Sequence, residues 1–353
     1  MIILCVVLLA SFSLIIVIPN IENNYFMVVT KIFQLSIAII LVFLFSIIPF
    51  HMILSLVPIS YIIVVSSLVY VEFFGLVGKG ATRWIQIGNL SGQPSEFLKA
   101  MIPLIFSYYF ASRPLRVTGL DIIRLSFLIL TPVILIALQP DFGTAIFIVL
   151  VTVGCMFLSG IKHRYLIGGL LTSVVTFPLL WIFYLSEYQK QRIKVFLNID
   201  SDPLGSGYHI LQSKIAIGSG GILGLGLGNG TQTQLNYIPE FHTDFIFATF
   251  CEDFGLVGAL VLITVYIQLI VRLIIATNTI ENNSERVFVG GVAVVLLLSC
   301  FFNIGMVIGI LPVVGMPLPW MSYGGSSLIS TASIIGIAMG IVAGYRRGRV
   351  ATY

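Results

Sequence analysis

The chain has 353 residues, 58% hydrophobic and only 9% charged, with 18 Lys and Arg against 14 Asp and Glu for a formal net charge of +4. A soluble domain carries about 25% charged residues, so water is excluded as the main solvent. The small positive balance does not indicate nucleic acid, because the basic residues lie at alternate ends of apolar runs rather than on one patch.

A hydrocarbon core about 30 Å thick needs roughly 20 helical residues to cross it. Runs of that kind occupy residues 1–19, 27–49, 52–74, 95–112, 121–138, 141–160, 164–185, 250–276, 286–309 and 325–345. They predict an all-α polytopic membrane protein of about ten transmembrane helices, organised as a single domain over residues 1–353. The first run has no basic leader and no small-residue cleavage site, so it reads as a helix rather than a signal peptide.

Lys79 and Arg83 lie between the third and fourth runs. The fourth opens on Gln93-Pro94 and carries Glu96 and Lys99 three residues apart. Proline and an acid in a first helical turn suit a helix start, and an i, i+3 pair supports it. Ionisable groups in a membrane span are also candidates for function. The sixth run begins at Gln139-Pro140-Asp141 and invites the same two readings.

Basic residues then fix an orientation. Arg113, Arg116 and Arg124 flank one short loop, Lys162 and Arg164 another, Arg272 and Arg286 a third, and Arg346, Arg347 and Arg349 form the tail. The positive-inside rule makes these regions cytoplasmic. Ten helices then put both termini inside and the long segment 186–249, between helices 7 and 8, outside.

That segment is too long and too patterned for a simple connector. Lys190, Arg192, Lys194 and Lys214 supply outer cations for an anionic group, an Arg fork being suited to phosphate oxygens; the alternative is pairing with Asp200, Asp202 and Glu240. Residues 209–217, HILQSKIAI, fit a short amphipathic helix or an element lying in the membrane interface. The glycine-dense GSGGILGLGLGNG at 218–230 lacks the GK[ST] ending of a phosphate loop and follows no strand, which argues against ATP and NAD.

The segment closes on PEFHTDFIF, where Asp244, beside His242, can sit in a wet cleft and act as a general base. Glu252 and Asp253 compete for that role, but they lie where the apolar run begins, and a structural reading is preferred for them. Cys5, Cys155, Cys251 and Cys300 stand singly in apolar stretches and read as packing. The four histidines form no HxxxH or HExxH pattern, so no metal or other cofactor is indicated, with a divalent cation left open.

The motifs KGATRWIQIG at 79–88, QPSEFLK at 93–99, QPDFGTA at 139–145, YQKQRI at 188–193, DPLGSGYHILQSKIAIGSGG at 202–221, GTQTQLNYIPEFHTDFIFA at 230–248 and SYGGSS at 322–327 together resemble the SEDS family (shape, elongation, division and sporulation). These are polytopic glycosyltransferases of bacterial cell-wall synthesis. The stretch NIGMVIGILPVVGMPLP at 303–319 is more similar to elongation members than to division members, and the resemblance covers about residues 75–345.

The resemblance implies a peptidoglycan glycosyltransferase of the inner membrane. It would polymerise lipid II, a disaccharide-pentapeptide on undecaprenyl pyrophosphate, at the outer face, with a class B penicillin-binding protein as partner. It makes Asp244 the essential acid of the TDF motif. Lys79, Arg83, Glu96, Lys99, Asp141, Arg192, Lys194, Lys214 and His242 are the candidates for substrate binding. A lipid flippase with Glu96, Lys99 and Asp141 along its path, and a non-catalytic scaffold, are the rival readings.

Overall fold

The structure, a computed structural model, describes every residue except 19–20, 79–80, 88–89, 112, 114–117, 186, 199–204, 236, 239–240 and 352–353. Lys79, Arg116, Asp200, Asp202 and Glu240 therefore fall outside the described residues. Each of the ten apolar runs has its helix: α1 (Ile2–Val17), α2 (Ile21–Ile47), α3 (Phe50–Phe74), α4 (Pro94–Phe110), α5 (Gly119–Leu138), α6 (Phe142–Leu158), α7 (His163–Phe183), α11 (Ile246–Thr277), α12 (Asn283–Val307) and α13 (Gly325–Ala351). Seven of them, α2, α3, α5, α7, α11, α12 and α13, are long and apolar enough to cross a membrane, and α1 and α6 are shorter apolar helices.

The long interruption holds three more helices, α8 (Glu187–Leu197), α9 (Ser206–Ser219) and the single turn α10 (Thr231–Gln234). The short helix expected at 209–217 is the body of α9. A feature that the apolar runs did not announce is a small antiparallel sheet of β1 (Leu76–Gly78), β2 (Ala81–Ile87) and β3 (Leu90–Gly92), in the order β1-β2-β3. Its register pairs Leu76 with Trp84 and Gln86 with Ser91.

The described residues form two compact units, each assembled from three stretches of chain. The first contains Met1–Phe45, Arg192–Leu273 and Leu296–Gly336, and the second Ser46–Gln191, Ile274–Val295 and Ile337–Tyr353.

In the second unit α3 packs on α4 and α5, α4 on α6, and β2 on α3. Small residues permit the close approaches: a side chain on Gly291 would run into Pro103 and Cys155, and one on Gly154 into Val294. That is the usual way for apolar helices to gain contact in lipid, where burial alone drives little association. Buried hydroxyls tie the same helices, Ser107 Oγ donating to the Ser284 carbonyl at 2.7 Å. At the start of α5, Thr118 and Asp121 form a reciprocal capping box, with Arg113 Nη1 3.2 Å from the Asp121 carboxylate.

In the first unit the glycine-dense stretch has a clear task. Gly255 interrupts α11 with φ 64°, a left-handed value that favours glycine. The amides it releases are taken by the glycine-dense stretch, Leu256 N donating to Gly221 O at 2.9 Å and Val257 N to Ile222 O at 3.1 Å. Leu225 N and Gly226 N in turn donate to the carbonyls of Glu252 and Asp253. A broken helix in a membrane is tolerated when protein groups satisfy its freed backbone in this way.

Candidate functional site

Asp244 lies two residues before α11, in the turn 241–245, and is half-buried. Three consecutive carbonyls of this turn are held from outside it. Tyr323 N donates to His242 O at 2.8 Å. Ser322 Oγ donates to Thr243 O at 2.6 Å. Asn303 Nδ2, from a wholly buried side chain of α12, donates to Asp244 O at 2.8 Å and to Met316 O at 2.7 Å. Ser322 Oγ also accepts from Leu318 N at 2.7 Å, so one hydroxyl joins the 318–323 turn to the 241–245 turn.

With its backbone tied at three successive residues, the Asp244 side chain leaves from a fixed origin. On one side it meets Gly315, whose φ is 69° and where an added Cβ would stand 3.4 Å from Asp244 Oδ2. Glycine there leaves the approach to the carboxylate open. The His242 ring packs edge-on against Tyr323, with centroids 5.7 Å apart.

Lys214 projects from α9 to the start of the loop 309–315, its Nζ 2.7 Å from where a Cβ on Gly309 would stand. The helix carrying it is fixed by Ser213 Oγ, which donates to Val307 O at 2.9 Å. The loop 309–315 thus has a cation at its first residue and the Asp244 carboxylate at its last. On α8, Arg192 is half-buried and Lys194 exposed, while Lys190 pairs with Glu187 at 3.0 Å on the surface.

The second unit gathers Arg83, Glu96, Lys99 and Asp141. Asp141 caps α6, accepting from Thr144 N, and takes a bond from Gln93 Nε2 at 3.2 Å. Arg83, on β2, places Nη1 3.6 Å from Asp141 Oδ1 and donates through Nη2 to Pro140 O at 2.6 Å. Lys99 and Glu96 form a buried pair at 2.6 Å, with the ammonium over the Phe147 ring of α6. The structural and functional readings of these groups are therefore compatible: they are ordered by one another at the entrance of two helices.

Glu252 and Asp253 are both buried, at 0% and 4% exposure. The Glu252 carboxylate accepts from Gln232 N at 2.8 Å, Thr233 N at 3.2 Å and Thr233 Oγ1 at 2.6 Å, which caps the turn α10. Its oxygens are committed to protein donors. Among the described residues no group of three His, Cys, Asp or Glu side chains could hold a metal ion, and the four cysteines are buried and unbridged.

Sequence reasoning missed Asn303, Ser322 and Gly315, which act through backbone bonds or open space and leave no chemical signature in a sequence.

A helical membrane fold with an acid and a lysine at the two ends of one loop, and a second ordered charge cluster, defines a polytopic membrane protein with an ionic site. The FtsW, RodA and SpoVE family model, described as cell cycle protein, matches residues 1–347, and the chain belongs to that family. The match extends the expected resemblance through the N-terminal helices. Over 316 residues the chain is 44% identical to peptidoglycan glycosyltransferase MrdB of Escherichia coli K12, covering 88% of this chain and 84% of that one.

Among solved structures, one described as structural coordination of polymerization and crosslinking by a peptidoglycan synthase complex superposes with a TM-score of 0.83 at 26% identity, covering 98% of this chain and 97% of that chain. The crystal structure of the Thermus thermophilus rod shape determining protein RodA superposes with a TM-score of 0.72 at 24% identity, over 97% of this chain and 95% of that one, and shares its fold.

Proposed function

We propose that this chain is a peptidoglycan glycosyltransferase that polymerises lipid II at the outer face of the bacterial inner membrane during cell elongation. The observation that carries the reading is the 44% identity to MrdB over 88% of the chain, joined to an Asp244 whose backbone is fixed at three successive carbonyls.

In the proposed reaction, Asp244 accepts the proton of the acceptor sugar's 4-hydroxyl. The hydroxyl oxygen attacks the anomeric carbon of the donor, the new glycosidic bond forms as the bond to pyrophosphate breaks, and the configuration inverts. Such general-base assistance is worth about 100- to 10,000-fold. The departing pyrophosphate gains charge, and Lys214, Arg192 and Lys194 are the cations available to stabilise it. His242, Glu96, Lys99 and Asp141 complete the candidate set for substrate contact.

Both termini are assigned to the cytoplasm and residues 186–243 to the outside, on the distribution of arginine and lysine. A class B penicillin-binding protein is the expected partner, in keeping with the synthase complex whose fold the chain shares. Purified lipid II incubated with the protein, alone and with that partner, tests the reading. Glycan strands are the expected product. Absence of strands in both, with transfer of lipid-linked precursor across vesicle membranes, would replace it by the flippase reading.

A further inference from the structure

Lys31 lies in the apolar run of α2 and is 0% exposed. No carboxylate stands within 4 Å of its ammonium among the described residues. The ammonium donates to two carbonyls, Ser322 O at 2.8 Å and Met321 O at 3.1 Å. Taking a cation out of water costs several kcal/mol, and two neutral carbonyls offset that only in part. An apolar residue would be the cheaper occupant of a span, and an ionisable one points to function.

The bonds of the ammonium end on the turn that holds Asp244. Ser322 takes part on both sides: its carbonyl accepts from Lys31 and its hydroxyl donates to Thr243 O. The next residue, Tyr323, donates its N–H to His242 O. Ser13 of α1 fixes the same turn by donating to Met321 O at 2.8 Å, and Gln34, one helical turn beyond Lys31, has its Nε2 3.4 Å from where a Cβ on Gly325, at the start of α13, would stand. A chain of contacts therefore leads from α2, through 321–323, to 242–244.

We infer that Lys31 is a positioning residue for the glycosyl transfer, holding the 318–323 turn so that the turn holds the Asp244 carboxylate in its productive direction. The inference rests on Asp244 being the general base. Lys31 itself is buried, so it acts through the turn it holds. Its effect is geometric, and displacement of a reacting group by about 1 Å is enough to cost about 100-fold.

The test uses the full chain with its partner and lipid II as substrate, comparing Lys31→Met, Lys31→Arg and Asp244→Asn. Lys31→Met should lower kcat per folded molecule about ten- to a hundredfold while KM for lipid II stays within about threefold. Lys31→Arg, which keeps the cation and its donors, should recover most of the loss. A Lys31→Met protein with parental kcat, its only defect being a lower Tm or yield, overturns the inference.

If Lys31→Met does not accumulate folded, Ser322→Ala decides, since it removes the hydroxyl link to Thr243 and leaves Lys31 in place. A selective loss of kcat supports the inference and a parental kcat overturns it. An active Asp244→Asn protein would remove the general-base reading and the positioning role with it. An inactive Asp244→Asn beside a fully active Lys31→Met would remove the positioning role alone.

Discussion

Arg83 spans the junction of two helices, its Nη2 bonded to Pro140 O at 2.6 Å and its Nη1 3.6 Å from Asp141 Oδ1. A cation at the end of α5 and an acid at the start of α6 each complement the local helix dipole. The guanidinium fork is thus occupied by protein acceptors. Arg83→Ala should therefore cost about 1.5–3 kcal/mol, the range for a hydrogen bond to a charged group, because Asp141 is left buried with less compensation. Thermal unfolding of the purified protein measures this. An unchanged Tm with a raised KM for lipid II would instead make Arg83 a substrate contact.

A different outcome is expected at Glu252. Its two oxygens accept three bonds from Gln232 and Thr233, and Gln in its place would turn an amide NH2 toward backbone N–H donors. Glu252→Gln should lower stability by about 1.5–3 kcal/mol and leave kcat per folded molecule near the parental value. Loss of turnover at unchanged stability would transfer the catalytic assignment from Asp244 to Glu252.

The helices were legible because membrane spans advertise themselves: every run of roughly 20 apolar residues became a helix, and Asp141, flagged at the start of one run, caps α6. The sheet at 76–92 was not, because its strands are three to seven residues long and hold their form by pairing rather than by periodicity. At the site, titratable residues stood out in so apolar a chain. Asn303 and Ser322 did not, since each works by binding carbonyls of residues far away in sequence, and a carbonyl is the same at every position.

Orientation can be checked with cysteine labelling. Asn198, exposed at the end of α8, and Thr352 in the basic tail should fall on opposite sides. In a background lacking the four native cysteines, Asn198→Cys should react with an impermeant maleimide in intact spheroplasts, and Thr352→Cys only after lysis. The reverse pattern would invert the whole topology and take the active site to the cytoplasmic face.

Asp244→Asn separates a base from a structural cap, because Asn keeps the size of the side chain and is itself a favoured residue at helix starts. The ties from Tyr323, Ser322 and Asn303 all end on backbone carbonyls of 242–244, which the substitution leaves in place. The variant should therefore fold, insert and bind its partner much as the parent does. If the carboxylate takes the proton of the acceptor hydroxyl, polymerisation falls by about 100-fold or more. If Asp244 only favours the start of α11, the change costs at most about 1 kcal/mol of stability and turnover per folded molecule persists. Since Gly315 leaves one side of the carboxylate open, Gly315→Ala provides an independent reading of the same site. Its added methyl would stand 3.4 Å from Asp244 Oδ2 at a left-handed φ of 69°. That variant should lose turnover with Asp244 intact, and a folded Asp244→Asn protein that polymerises lipid II at the parental rate would sink the assignment whatever Gly315→Ala does.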